Sequence, residues 1–295
     1  MTTLAQPFSL LAPPPPIPLG PRQPGTVGPW RLQGVLGRGR RTTVYRAAPR
    51  ELPLDRAGDY AVKLADPHVG SQVRAMLETE AAVGSVISHP HVVPVLAWQT
   101  DGPTPYLVMP FLSGITLRRQ LEASVTLPLR MAIWWMRQTA EAIGALHDAG
   151  WIHGDVKPEN VMLNQAGHAT LIDLGFVRPI DAPTGTAALM GTPAYAAPER
   201  LQKSPRCLPA SDVYSLGTMA YELLTGKRPE LIGSSGRLGN ISRKLLNHRT
   251  DCPPPIAELV AAMLHRQPDQ RPSLPEIVDV LLGWELATLV RDLTD

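Results

Sequence analysis

The sequence predicts an α+β chain, folded as one large domain or as two lobes, with strands and one long helix in its earlier part and mainly helices in its later part. Three observations carry this expectation. Strand-type segments joined by tight turns dominate residues 30–111, helical stripes of apolar residues dominate from about residue 129 onward, and 295 residues suffice for two lobes with a cleft between them. The expected division is a Pro-rich disordered tail over 1–29, a first lobe over 30–111, a second over 112–290 and a short end at 291–295.

The tail holds Pro7, Pro13 to Pro16, Pro18, Pro21, Pro24 and Pro29 with little to bury. Such a segment stays extended and solvated, and it can also serve as a ligand for a proline-binding partner. Trp30 to Ala47 then reads as two strands around the loop Leu36-Gly37-Arg38-Gly39-Arg40-Arg41-Thr42-Thr43-Val44. Ala61-Val62-Lys63 follows on the next strand. A helix over about Gln72 to Ile87 places Val73, Met76, Leu77, Val83 and Ile87 on an apolar face, and Glu80 shares that face, where a carboxylate needs a partner. Tyr106 to Met109 is a strand that runs into Pro110-Phe111-Leu112-Ser113-Gly114.

In the second lobe, a helix over about Leu129 to His147 aligns Ile133, Met136, Ala140, Ile143 and Leu146, with Gly150 as its stop. It delivers the chain into His153-Gly154-Asp155-Val156-Lys157-Pro158-Glu159-Asn160. Eight residues there supply one carboxylate, one ammonium and one amide, with Pro158 restricting the backbone, so the segment reads as a fixed loop. A hairpin follows, Val161 to Leu163 and Ala169 to Ile172 around an Asn164–Gly167 turn, and its return leaves Asp173 beside Asn160. An anionic and a neutral oxygen donor together suit Mg²⁺, which fills the rest of its shell with water and phosphate oxygens. Asp155 is then free to orient a hydroxyl and accept its proton, and Lys157 to offset charge on a transferring phosphoryl group. The bland alternative is that Asp155 caps a turn and Asp173 ends a strand.

This arrangement resembles the catalytic loop and metal-binding aspartate of Hanks-type Ser/Thr protein kinases, with His-Gly-Asp in place of His-Arg-Asp and Asp-Leu-Gly in place of Asp-Phe-Gly. The resemblance spans roughly Trp30 to Val290 and implies a bilobal kinase-like fold. It implies ATP and Mg²⁺ as cofactors and Ser/Thr hydroxyls of proteins as acceptors, autophosphorylation included. By resemblance Lys63, paired with Glu80, holds the α and β phosphates. Gly37 and Gly39 approach phosphates, Val44 lies over the base, and Leu36, Ala61 and Met162 complete the ATP-binding set. Met109 sits behind the adenine, Pro110 offers its carbonyl, and Leu112 offers both its N–H and its carbonyl. A third glycine of the loop is replaced by Thr42.

Gly191-Thr192-Pro193-Ala194-Tyr195-Ala196-Ala197-Pro198-Glu199 is similar to the activation segment of Ser/Thr protein kinases, which makes Thr184, Thr186 and Thr192 its candidate threonines. The family pattern pairs Glu199 with Arg271. Asp212 is expected to cap the apolar helix that runs to Leu224 or, as the resemblance implies, to hold the catalytic-loop backbone, two roles that are compatible. Gly84, one turn after Glu80, stands where relatives carry a bulky apolar residue, so the helix is expected to have space beside it and to move easily or be braced by a partner. Gly154 removes the arginine that clamps a phosphorylated loop, so activity is expected not to require a phosphate on Thr184 or Thr186. Glu159 and Glu222 occupy positions that recognise basic substrate residues in some relatives.

Two other readings stand beside this one. His-Gly-Asp with an asparagine five residues on also occurs in aminoglycoside and choline kinases, but Lys157 and the 191–199 segment favour a protein acceptor. Gly84, Thr42 and Leu174 are the features a weakly active scaffold would show, yet Lys63, Asp155, Asn160 and Asp173 are all present. A net charge of +2 asks for neither nucleic acid nor a charged membrane as partner. Cys207 and Cys252 show no metal or disulfide spacing and fit a cytoplasmic protein. No secretion signal, membrane span or appended sensor domain is expected.

Overall fold

The computed structural model describes residues 10–20, 25–66, 70–123, 127–182, 191–202, 204–230 and 239–294. The architecture is α+β and divides into two compact units. One comprises Pro13–Ser113 together with Ile172–Val177. Its strands are β1 (Thr26–Val27), β2 (Trp30–Arg38), β3 (Thr42–Pro49), β4 (Tyr60–Ala65), β5 (Ala97–Gln99) and β6 (Tyr106–Pro110), with α1 (Ser71–Val86) between β4 and β5. They form one antiparallel sheet in the order β1-β2-β3-β4-β6-β5. Alternate residues feed two apolar clusters. Val35, Tyr45, Val62 and Val108 pack in one, and Val73 and Leu77 of α1 join Val93, Val95, Leu107 and Met109 in the other.

The proline segment is not free of this sheet over its described part. Ile17 and Val35 exchange both backbone bonds, at 2.9 and 2.7 Å, Leu19 packs against the first cluster, and Val27 is buried within it. The cause is local. β1 is too short to cover the edge of β2, and the absent Cβ at Gly34 leaves room for Pro16, whose own Cβ would otherwise lie 2.8 Å away. Ile17, flanked by prolines, keeps the N–H that the edge needs.

Gly84 also differs from expectation. The space beside it is filled from within, because the Val95 N–H donates to the Gly84 carbonyl at 2.8 Å and a Cβ on Gly84 would stand 2.5 Å from Val95 Cγ2. Gly84→Ala should therefore forfeit the usual helix gain of about 1 kcal/mol and destabilise the protein by roughly 1–3 kcal/mol. Chemical denaturation measures this, and a Gly84→Ala/Val95→Ala double variant should show non-additive recovery. A stabilised single variant would contradict the packing described.

The other unit is built on Gly114–Leu171 and Arg178–Asp295. Its elements are β7 (Gly114–Thr116), α2 (Leu117–Ala123), α3 (Leu129–Asp148), β8 (Trp151–Ile152), β9 (Val161–Asn164), β10 (Ala169–Leu171), β11 (Arg178–Pro179), α4 (Pro209–Thr225), α5 (Gly239–His248), α6 (Pro254–Met263) and α7 (Leu274–Thr294). The α3 stripe Ile133, Met136, Ala140, Ile143 and Leu146 is fully buried, and Gly150 follows in a left-handed turn at φ +84°. Trp135 is core, donating its indole N–H to the Gly167 carbonyl at 2.9 Å. Every residue of α4 from Ser211 to Leu224 is buried, as its near-continuous apolar run requires. Ser273 and Glu276 form the reciprocal cap of α7. Among the described residues no helix is long and apolar enough to cross a membrane.

Candidate active site

Lys63 sits mid-strand on β4, opposite Val44 on one side and Leu107 on the other, and is 8% exposed. Its Nζ donates to both oxygens of Glu80, at 2.9 and 2.7 Å, and to Asp173 Oδ1 at 2.5 Å. Burial alone would lower the lysine's pKa, but the two carboxylates outweigh it and hold the ammonium charged well above the ordinary range. Burial raises the Glu80 carboxyl against the pull of Lys63, and Asp173 adds to the rise. The ammonium is thus held between two carboxylates. Asp173 adopts φ +64°, a left-handed backbone that aspartate tolerates, and Gly175 closes over the trio, where a Cβ would lie 3.1 Å from Asp173 Oδ1 and 3.3 Å from Glu80 Oε2. Leu174 between them is fully buried.

Asp155 is 4% exposed, held at the end of the β8 approach. Its Oδ1 accepts the Thr192 N–H at 2.8 Å, and its Oδ2 accepts Lys157 Nζ at 2.5 Å and Asn160 Nδ2 at 3.3 Å. Lys157 also donates to the Thr192 hydroxyl at 2.7 Å. Asn160 Nδ2 donates to the Asp155 carbonyl at 2.8 Å as well, so both bonds of its amide use nitrogen, and Oδ1 takes no donor among the described residues. Gly191, at φ +111°, is required by closeness, since a Cβ there would stand 2.9 Å from the Gly154 carbonyl and 3.1 Å from Asp155 Oδ1.

Mg²⁺ demands only one or two protein oxygens beside phosphate and water. Each donor by itself has the chemistry it takes: Asp173 carries a carboxylate, and Asn160 has its carbonyl oxygen uncommitted among the described residues.

The loop backbone is held from below. Asp212 lies inside the first turn of α4 and not at its cap, because the helix starts at Pro209. Its carboxylate accepts the His153 and Gly154 N–H groups at 2.8 and 2.9 Å and faces His147 Nε2 at 3.0 Å. Burial would raise its pKa, but the His147 contact and these N–H donors bring it below the ordinary value. Glu199 and Arg271 form a buried bidentate pair, 2.8 Å at each oxygen. Gly154, at φ +79°, also gives its carbonyl to Arg200.

Of the loop residues, Gly37 pairs with Val44 across the β2–β3 hairpin, Leu36 is exposed, and the Gly39 N–H donates to the Thr42 carbonyl at 2.8 Å, so Thr42 closes the tip in place of a third glycine. Ala61 and Met109 face each other across β4 and β6, Pro110 ends β6, and Leu112 packs on the second cluster. Met162 lies mid-strand on β9, paired with Thr116 and Thr170. Thr184 and Thr186 lie outside the described residues. Sequence reasoning missed Arg118, which donates to Glu159 at 3.0 Å, to the two oxygens of Glu222 at 3.0 and 3.1 Å, and to the Tyr195 hydroxyl. Nothing in Leu117-Arg118-Arg119 distinguishes it from its neighbour. It missed His147 under Asp212 for a similar reason, since a histidine in a last helical turn is ordinary.

Comparison with known proteins follows the same outline. Serine/threonine-protein kinase PknA of Mycobacterium tuberculosis is 32% identical over 268 residues, 86% of this chain and 56% of that protein. Serine/threonine-protein kinase PkaA of Streptomyces coelicolor is 33% identical over 263 residues, covering 82% and 47%. The probable serine/threonine-protein kinase pknA2 of Bifidobacterium longum is 29% identical over 258 residues, covering 83% and 33%. The chain thus spans about half, or less, of the length of these relatives. The protein kinase domain matches residues 30–281, and the chain belongs to the protein kinase family.

Proposed function

We infer that this chain transfers the γ-phosphoryl group of ATP to Ser or Thr hydroxyls of proteins, with autophosphorylation among its reactions. The observation that carries the reading is the Asp155 carboxylate, buried and held by Lys157, Asn160 and the Thr192 N–H, with Lys157 bridging to the Thr192 hydroxyl. In this reading Lys63, oriented by Glu80, holds the α and β phosphates, and Asp155 orients the acceptor hydroxyl and receives its proton. Lys157 offsets charge on the transferring group. Mg²⁺, held by Asn160 and Asp173, would neutralise phosphate charge when bound. Leu36, Gly37, Gly39, Val44, Ala61, Met109, Pro110, Leu112 and Met162 are the residues assigned to the nucleotide. Gly154 leaves no side chain to clamp a phosphate on Thr184 or Thr186, and Leu174 keeps the buried apolar role of the phenylalanine it replaces. A proline-binding partner that took residues 16–18 would compete with the Ile17–Val35 pairing.

Incubation of the pure protein with γ-labelled ATP and Mg²⁺, with and without a generic protein acceptor, tests this. Label is expected on protein at Ser or Thr. Label on an aminoglycoside or choline would replace the reading with a small-molecule phosphotransferase, and nucleotide binding without any transfer would leave a scaffold.

A further inference from the structure

Gly154 stands in the catalytic loop at φ +79°, a conformation that glycine enters and leaves at little cost. The peptide that joins it to Asp155 has the Gly154 carbonyl on one side and the Asp155 N–H on the other, so the tilt of that plane sets the direction in which the Asp155 side chain leaves the loop. With no Cβ at Gly154 to oppose a flip, the plane has to be held by its bonds. Asp212 holds the peptide before it, accepting the Gly154 N–H at 2.9 Å. The plane itself donates the Asp155 N–H to His153 Nδ1 at 3.2 Å, a long bond to a near neighbour in the chain, and gives its carbonyl to Arg200 Nη1. Arg200 therefore ties this peptide to a distant segment.

A second observation is where Arg200 comes from. It is buried, at the end of a 3-10 turn over Pro198–Arg200 whose Glu199 is clamped by Arg271. A guanidinium placed there gives up its hydration and needs acceptors in return. Gly191 is the clearance beside it: a Cβ there would stand 3.6 Å from Arg200 Nη1, 2.9 Å from the Gly154 carbonyl and 3.1 Å from Asp155 Oδ1. Asp155 is thus approached twice from residues 191–200. The Thr192 N–H reaches its Oδ1 at 2.8 Å, and Arg200 reaches the carbonyl that precedes it. All of these groups lie in one compact unit.

Resting on the phosphotransferase reading above, we propose that Arg200 is a positioning residue of the catalytic loop: its guanidinium locks the Gly154–Asp155 peptide and so fixes the direction of the Asp155 carboxylate. The restraint comes from within the folded chain, at a loop position where Gly154 has no side chain to supply one. Arg200 acts through Asp155 and not on the reacting atoms. A charge-assisted bond of this kind corresponds to about ten- to a hundredfold, expected in kcat.

The test is a double-mutant cycle in the full chain, with labelled ATP, Mg²⁺ and a generic protein acceptor. Arg200→Met, which keeps the length of the side chain without a donor, is expected to lower kcat by about ten- to a hundredfold. KM for ATP should stay within about threefold, because Lys63 and Glu80, assigned to the phosphates, hold each other. In the Asp155→Asn background the same change should cost less than about threefold more, since the group that Arg200 positions has already lost its charge. Two results would overturn the proposal while wild-type transfer left the phosphotransferase reading standing. One is a kcat for Arg200→Met within about threefold of wild type; the other is a loss that recurs in full on Asp155→Asn, as a merely structural arginine would give. Should Arg200→Met fail to fold, Arg200→Gln, which keeps an N–H on a shorter side chain, goes through the same cycle with the same two outcomes. Absence of transfer by the wild type would instead remove the underlying reading, and the proposal with it.

Discussion

Asp155→Asn is expected to lower phosphoryl transfer by roughly three orders of magnitude while nucleotide affinity stays within severalfold. Asparagine keeps the size of the side chain and one oxygen for the Thr192 N–H, which Asp155 Oδ1 accepts at 2.8 Å. What it removes is the charge. Lys157 loses the carboxylate that holds it at 2.5 Å, and in the proposed reading the acceptor hydroxyl loses the group that takes its proton. The groups assigned to the nucleotide are untouched by this exchange, so binding and turnover should separate. Steady-state transfer from labelled ATP, with calorimetric titration of nucleotide and a thermal melt as a folding control, measures both. Turnover above a tenth of wild type would mean that Asp155 does not have the role assigned to it.

Arg271→Ala should cost about 3–5 kcal/mol of stability, because it strands Glu199 as a buried, unpaired charge. The guanidinium is fully buried and serves more than its partner. Its Nη1 and Nη2 each meet a Glu199 oxygen at 2.8 Å, Nη1 also reaches the Ala210 carbonyl at 2.6 Å, Nε donates to the His265 carbonyl at 2.8 Å, and the group lies 5.0 Å from the Tyr214 ring centre. Arg271→Lys should recover only part of the loss, since a point ammonium cannot make the paired contacts. The pH dependence has a definite sign. Burial would raise the Glu199 carboxyl, but the Arg271 bonds, with that of Ser211, lower it below the ordinary 4.5. A depressed carboxyl contributes stability fully above its unfolded value and loses it as pH falls through the folded one. The gap between wild type and Arg271→Ala should therefore be full near neutrality and narrow below about pH 4.5. Denaturant midpoints over that range measure it, and a gap independent of pH would show that the loss is packing alone.

Much of this could be read along the chain, and the reason is physical. The apolar stripe of α3, the turn at Gly167 and the cap at Ser273 and Glu276 are enforced by neighbours three or four residues away, so spacing alone reveals them. The residues at 63, 80, 155, 157, 160 and 173 could be singled out along the chain because the proposed phosphoryl transfer asks for a small set of charges and amides in a known order. Their partners were less so. Asp212 allowed two roles, and its position inside α4, below the His153 and Gly154 N–H groups, left only one.

What could not be read was every feature created by close approach between distant segments. Gly84 looked like a void and is an accommodation for Val95; Gly191 looked like part of a motif and is the clearance beside Asp155; Ile17 looked solvated and pairs with a sheet edge. Arg118 is chemically identical to Arg119 until the fold places Glu159, Glu222 and Tyr195 around one of them. Residue type and local periodicity are properties of the chain and survive its unfolding. Clearance, desolvation and the choice of counter-charge exist only once surfaces meet, so they belong to the folded molecule.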